Sequence, residues 1–431
     1  MGAMASVRQQ QDVDIQTITV LPGEDNVIEE EILVRPLHRA MGTVTVGAAL
    51  VASLFTAAAP AQAGTGHGKP GKHWDAPACD RVVSDGSLSH TRDGGASFAP
   101  TTTAERPPYY QLVTGLETLA APNRLLATDI NGRVTRSTDS GCSWETIAKL
   151  GSGHWYVSPA RDGSAYVWEL RGDRVYRVAG STVTEMPAFD GGKLGGLYGL
   201  TANPRRTGHL RAVTDEGRVL ESRDAGRTFR AIGTPVPLAE VGPHTMFYDA
   251  KVATADFDRI VVGVSDAGLF TSDNAGRTWR RAKLGAAGDK VNGFSLAISP
   301  VNPRVVYSKA LNVTELEAGE SGRHLYRSTD GGRTFKPVVD QFQDGEDVVI
   351  HNGGWIRPDP TDADIAYFEY GDPWSGTNLY RFDADDDDEL TIRHSNHHGI
   401  GALAVSPADP DVLHAGLTSV PGDAPLSGDG A

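Results

Sequence analysis

Residues 325–335 read Leu325-Tyr-Arg-Ser-Thr-Asp-Gly-Gly-Arg-Thr-Phe335, and the stretch recurs along the chain. Relatives lie at Leu88–Phe98 (LSHTRDGGASF), Val134–Trp144 (VTRSTDSGCSW), Leu220–Phe229 (LESRDAGRTF) and Leu269–Trp279 (LFTSDNAGRTW). The shared frame is Ser or Thr, any residue, Asp or Asn, any residue, Gly, any residue, Thr or Ser, then Phe or Trp. Its acidic or amide position falls at Asp93, Asp139, Asp224, Asn274 and Asp330, so successive copies are 46, 85, 50 and 56 residues apart. A fixed internal period of this size is the mark of a repeat architecture.

The 85-residue step hides a copy: Arg174–Gly180 followed by Thr182–Met186 has the strand, turn and strand of the unit without its Asp. Beyond Asp330, the run from Leu379 to Asp385 begins another copy and then degenerates into acidic residues. Seven units result. Each reads as four short runs of alternating or apolar residues separated by Gly, Asp and Pro, as in 294–300, 304–308, 324–328 and 334–339. Four antiparallel strands per 40 to 56 residues predict an all-β, seven-bladed propeller. The termini are expected to share one blade: 401–407 and 411–416 supply its first two strands, and 86–91 with 96–100 its third and fourth. Closing the ring this way removes free sheet edges.

The repeated frame resembles the Asp-box, or BNR repeat, of sialidase-like propellers, and its copies with the intervening units cover nearly all of residues 80–420. The resemblance implies a structural role for Asp93, Asp139, Asp224, Asn274 and Asp330, in hairpins between third and fourth strands on the face opposite the usual ligand site. Physically, the carboxylate accepts backbone N–H bonds in an Asx-type turn, Gly supplies unusual dihedrals and the aromatic residue covers the hairpin.

Composition agrees. Gly and Pro make up about 17% of the 431 residues, which favours turns over long helices. Arg35, His38 and Arg39 precede an apolar stretch, 41–59, and then Ala61-Gln-Ala63, the pattern of an export signal cleaved after Ala63. A membrane anchor is the competing reading, weakened by the stretch's Ala, Gly and Thr content. The acidic residues before Val34 are read as an over-extended start. The expected division is therefore a signal at 1–63, a flexible linker at 64–79 and one propeller at 80–431. After cleavage 37 basic and 48 acidic side chains remain, a formal charge of −11 that argues against nucleic acid. Cys79 and Cys142 both lie in the exported part, where an oxidising compartment permits a disulfide tying the N-terminal segment to the next blade.

Sialidase chemistry would need an Arg-Ile-Pro motif, which is lacking, and has six blades rather than seven. Xyloglucan-degrading Asp-box enzymes set catalytic carboxylates between two seven-bladed propellers, whereas this chain predicts one. No Gly-x-Ser-x-Gly elbow, His-Glu-x-x-His helix or phosphate loop occurs either. No catalytic residue, metal site or cofactor is assigned.

The expected activity is binding. Loops entering each innermost strand and loops joining second to third strands should share one face around the channel. The entering loops carry Tyr110, His154, Trp155, Tyr198, His244, Tyr248, Trp355, His397 and His398; the others carry Asp129, Asp215, Asp266, and Asp372 beside Trp374. Aromatic residues suit a recognition surface, though they also plug such rings. The acidic residues favour a cationic partner, though most also serve as turn formers. The His394–His398 cluster and the acidic run 383–389 lack any spacing that would hold a metal. The expected partner is a secreted or cell-surface protein or a glycan. Size, export signal and single-propeller build resemble a secreted propeller that acts on a metalloprotease. The chain is expected to be extracellular and monomeric, with hydrolysis of an extracellular polysaccharide as the rival reading.

Overall fold

The computed structural model describes residues 73–102, 111–187, 191–238, 246–265, 267–286, 288, 290–340, 355–372, 376–386, 389–394 and 398–418. They form seven antiparallel sheets. Blade I comprises Val113–Thr118, Leu125–Asp129, Arg133–Ser137 and Glu145–Lys149. Blade II, Trp155–Pro159 to Thr182–Glu185, contains the copy without an Asp, its third and fourth strands at Val175–Ala179 and Thr182–Glu185. Blades III, IV and V begin at Leu197–Ala202, Phe247–Val252 and Val291–Ile298, and blade VI at Ile356–Pro358. Among the described residues two short helices, Gly191–Leu194 and Val313–Glu317, lie in loops.

Each first strand touches the first strands of both neighbouring blades, and the circuit closes from blade VII back to blade I. Burial grades outward from this ring. Second strands such as Leu125–Asp129, Leu210–Thr214 and Ile260–Val264 are buried along their whole length, whereas the fourth strand of blade II is mostly exposed. A middle strand lies between two neighbouring sheets and is buried on both faces, its charged members such as Asp129 and Arg211 being taken up in ion pairs. The core therefore sits between blades: Val213 and Val219 of blade III pack with Phe247, Val262 and Phe270 of blade IV.

Blade VII is where the ends meet. Gly399–Val405 pairs with Leu413–Thr418, which pairs in turn with Leu88–Thr91, Leu88 opposite Gly416 and Thr91 opposite Leu413. The fourth strand expected at 96–100 does not form. That segment keeps one backbone bond to the third strand, Ala99 N to His90 O at 2.8 Å, and Pro100 O is used elsewhere. It is drawn off by Val82, which donates to Pro100 O at 2.9 Å and accepts from Thr102 N, while Val83 donates to Cys142 O and accepts from Trp144 N. Residues 82–83 thus clip the closing blade to blade I. Cys79 and Cys142 are bonded, with Cα atoms 5.7 Å apart. Part of the stretch read as a linker is docked on blade I, since Asn123 Nδ2 donates to Asp75 Oδ2 at 2.7 Å and Ser140 Oγ to Asp75 O.

The repeated frame decodes residue by residue. In blade V, Asp330 Oδ1 accepts from Thr334 N at 3.0 Å and Oδ2 from the Thr334 hydroxyl at 2.6 Å. Ser328 Oγ donates to Asp330 at 2.8 Å and accepts from Gly332 N at 2.9 Å. The same four bonds recur around Asp93, Asp139 and Asp224. Asn274 keeps them with one inversion, its Nδ2 donating to Thr278 Oγ1. These bonds hold Asp224 and Asp330 near a pKa of about 2; the Thr228 bonds lead for Asp224, and for Asp330 they outweigh the opposing effect of burial. The turn needs left-handed backbone at two consecutive residues, which is why Gly follows Ser140, Ala225 and Ala275. At Gly141 a second reason applies: a Cβ there would come within 2.7 Å of His414 Nδ1 in blade VII.

Breaking the Cys79–Cys142 bond with reductant is expected to lower stability by about 2–4 kcal/mol, read as a fall in denaturation midpoint with the β-sheet circular dichroism retained. Asp330→Ala is expected to cost about 1–2 kcal/mol, as loss of a capping side chain does, and Asp330→Asn much less, since Asn274 already supports the turn.

Candidate functional site

The two sets of loops do share a face. In blade after blade a backbone bond joins them: Ile130 N to Leu112 O, Leu170 N to His154 O, Asp215 N to Gly196 O, Ser265 N to Met246 O and Val313 N to Lys290 O. The face is built of neighbouring loops stitched together, so side chains on it are positioned by sheet rather than by free loop.

The expected site residues divide sharply by exposure. His154 and Asp215 are exposed, Asp215 accepting from Gly196 N at 2.9 Å, and Tyr248 is 36% exposed. Trp355 is half-buried, its indole N–H directed at Ile400 O. Trp155 is buried, at 0% exposure; its Nε1 donates to Gly151 O at 2.8 Å, and the Arg174 guanidinium lies 4.7 Å from its ring centre. It begins an innermost strand and packs in the core, edge-on to Tyr176 of its own blade. Tyr198 and His398 are buried too, Tyr198 with its hydroxyl accepting from Arg171 Nε. Asp129 is buried and bonded to Arg133, through Nε at 2.6 Å and the backbone N–H at 2.9 Å, so it adds no free negative charge. Asp372 ends the second strand of blade VI, Ile365–Asp372, opposite Gly376. Tyr110, His244, Asp266, Trp374 and His397 lie outside the described residues.

The structure adds charged residues that the loops did not suggest. Glu117 of blade I meets Arg357 of blade VI at 3.1 Å and also feels Lys251 of blade IV. Tyr156 of blade II feels Asp249 of blade IV and Arg357 and Glu369 of blade VI. The Glu117–Arg357 contact joins first strands of blades that are not neighbours, so this pair lies at the channel. Lys251 pairs with Asp249 at 2.8 Å, and Asp249 Oδ2 accepts from Leu296 N in blade V. Surrounding protein raises the Glu117 carboxyl despite Arg357 and Lys251, and raises the Tyr156 hydroxyl to about 12. A charge inside a first strand, as in Phe247–Val252 or Ile356–Pro358, was the signal available for them.

Beneath the rim, Lys309 of blade V and Glu369 of blade VI are buried against each other, Nζ to Oε1 at 3.8 Å and Nζ to the Glu369 carbonyl at 3.2 Å. Trp355 N donates to the same carboxylate at 2.8 Å. Burial dominates both groups, pushing Glu369 up to about 7 and Lys309 down. Among the described residues no group of three or more His, Cys, Asp or Glu is placed to hold a metal, and no helix is long and apolar enough to cross a membrane.

Seven four-stranded or nearly four-stranded sheets around a charged lumen define a single-ring β-propeller. The chain belongs to the family of the dispase autolysis-inducing protein of Streptomyces mobaraensis, to which it is 36% identical over 355 residues, 80% of this chain and 90% of that protein. No family model matches the sequence. Among solved structures, YCF48 from Cyanidioschyzon merolae aligns over 72% of this chain and 96% of its own, at 13% identity and a TM-score of 0.52. A GH74 xyloglucanase from Xanthomonas campestris aligns over 79% of this chain and 58% of its own, at 18% identity and a TM-score of 0.51. Both similarities concern the fold.

Lys309→Met alone is expected to destabilise by about 3–5 kcal/mol by stranding a buried carboxyl, and Lys309→Met with Glu369→Leu to recover most of it, as urea denaturation would read. The native state holds the Glu369 proton between the ordinary 4.5 and about 7. That contribution is full below about 4.5 and is lost as pH rises through about 7. Glu369→Gln is therefore expected to flatten the fall in stability measured between pH 5 and 8.

Proposed function

We propose that this chain is an exported propeller that binds a protein partner on its channel face, the partner being a metalloprotease of the dispase kind whose self-cleavage it promotes, and that it breaks no bond itself. The observation that carries this reading is the 36% identity to the dispase autolysis-inducing protein across 80% of the chain. The exposed rim residues His154, Asp215 and Tyr248 are proposed as contacts, with Trp355 beside them and Tyr110, His244, Asp266, Trp374 and His397 as further members of the rim. Residues 1–63 are proposed as the export signal.

The electrostatics support binding over hydrolysis. A glycosidase needs two carboxylates facing a shared gap, one of them free to act as base or nucleophile. Among the described residues, the channel carboxylates Glu117, Asp249 and Glu369 each meet a cation or a backbone N–H. Acid–base pairs of this kind rigidify a lumen and leave the rim to make contacts.

Incubation of purified dispase with the mature chain is expected to speed the appearance of dispase fragments, and Asp215→Lys with Tyr248→Ala to slow that effect at least fivefold at unchanged melting temperature. Release of sugar from xyloglucan by the chain alone, abolished by one channel carboxylate substitution, would refute the reading, as would dispase turnover that ignores the added protein.

A further inference from the structure

We infer a second binding site, on the outer side of the ring between blades III and IV, that takes an extended acidic peptide. A groove of about 470 Å³ runs there between the tail leaving blade III and the last hairpin of blade IV. Pro235, Pro237, Phe270 and Trp279 give it apolar walls, and Arg277 and Arg281 flank it. This lies away from the channel face, so it stands whether or not the reading above does.

The molecule contains its own comparison. Counting from the Ser that opens each repeated turn, Trp279 and Arg281 stand where blade I has Trp144 and Thr146, and those two line a matching groove of about 410 Å³ between blades VII and I. There the chain fills the neighbouring place itself. Residues 75–83 run along the blade I turn, Asp75 bonded to Asn123 and Ser140, Cys79 to Cys142 by the disulfide, and Val83 to Cys142 and Trp144; Cys142 is the counterpart of Arg277. The fold thus demonstrates on itself that a second stretch of chain can lie along such a turn, paired to it through Val83. At blade IV the tail of blade III takes the place that Val83 has in blade I, Thr234 N bonding to Gly276 O, its hydroxyl to Arg277 O and the Trp279 indole to Thr234 O, which fixes the groove wall and leaves the Arg277 side chain exposed above it.

Charge decides the occupant. In the blade I groove Arg133 is neutralised by Asp85 and Asp129. In the turns flanking blade IV, Arg333 is paired with Asp273, and Arg227 sits beside the ionised Asp224 of its own turn. Blade IV alone of the five turns has an amide, Asn274, in place of the carboxylate. Arg277 and Arg281 are exposed, Arg281 is braced by Nε donating to Ala267 O, and neither meets a carboxylate among the described residues. Two cations flanking an apolar slot, on a protein acidic overall, match carboxylates spaced along an extended chain.

Anisotropy of fluorescein-labelled octaglutamate is the test. Wild-type protein is expected to bind it, Arg277→Glu with Arg281→Glu to weaken binding at least tenfold, and Arg277→Gln with Arg281→Gln to weaken it less, all at unchanged melting temperature. Arg124→Glu, an exposed arginine on blade I, is expected to change it less than twofold. Absence of wild-type binding, equal loss with Arg124→Glu, equal affinity for octaglutamine, or capture of a heparin tetrasaccharide in place of octaglutamate would each overturn the inference.

Discussion

Everything in this molecule depends on four residues from one end of the chain, Leu88–Thr91, pairing with Leu413–Thr418 from the other. A propeller blade cannot satisfy its edge strands or cover its faces alone; only a closed circuit gives every inner strand a neighbour on both sides. The seam is short, and the sequence around it compensates by crossing it several times. Gly94 N donates to Asp411 O and Leu417 N to Ser87 O across it, while residues 82–83 and the disulfide fasten its N-terminal side to blade I. The cross-strand pair His90 and His414 is buried at the seam, and burial holds both rings far down the titration scale, near 4 and 3. The seam is therefore packed with neutral imidazole at ordinary pH.

The repeated turn shows how a motif can be conspicuous without being chemical. Its Asp is held by hydrogen bonds from within the turn, which stabilise the ionised form and leave its lone pairs occupied. That is the condition of a structural carboxylate, whereas a catalytic one needs a free oxygen and a pKa moved toward its working pH. The carboxyls moved that way include Glu117 and Glu369, both outside the repeated turn, Glu369 lying under the rim against Lys309.

Legibility followed the range of the interaction. Strand number, hairpin positions and the hidden copy in blade II could be read because each is written within a dozen residues. The fourth strand of the closing blade could not, because Val82, from outside the repeat, takes the Pro100 carbonyl that would have extended the ladder. The rim was only half legible. Residue type pointed to Trp155 and Tyr198 as exposed aromatics, yet an aromatic at the start of an innermost strand is covered by its neighbours, as the Arg174 guanidinium over Trp155 shows.

By itself the sequence determined an all-β ring of seven units, the joining of its ends and the structural use of the repeated Asp, since these rest on local hydrogen bonds and on the period of apolar residues. Tertiary structure alone decided which polar groups meet. Glu117 finds Arg357 from the other end of the chain, and Lys309 finds Glu369 across a blade boundary. Coulombic and desolvation energies depend on distance through space and on what surrounds a charge, and neither quantity is written in the order of residues along the chain.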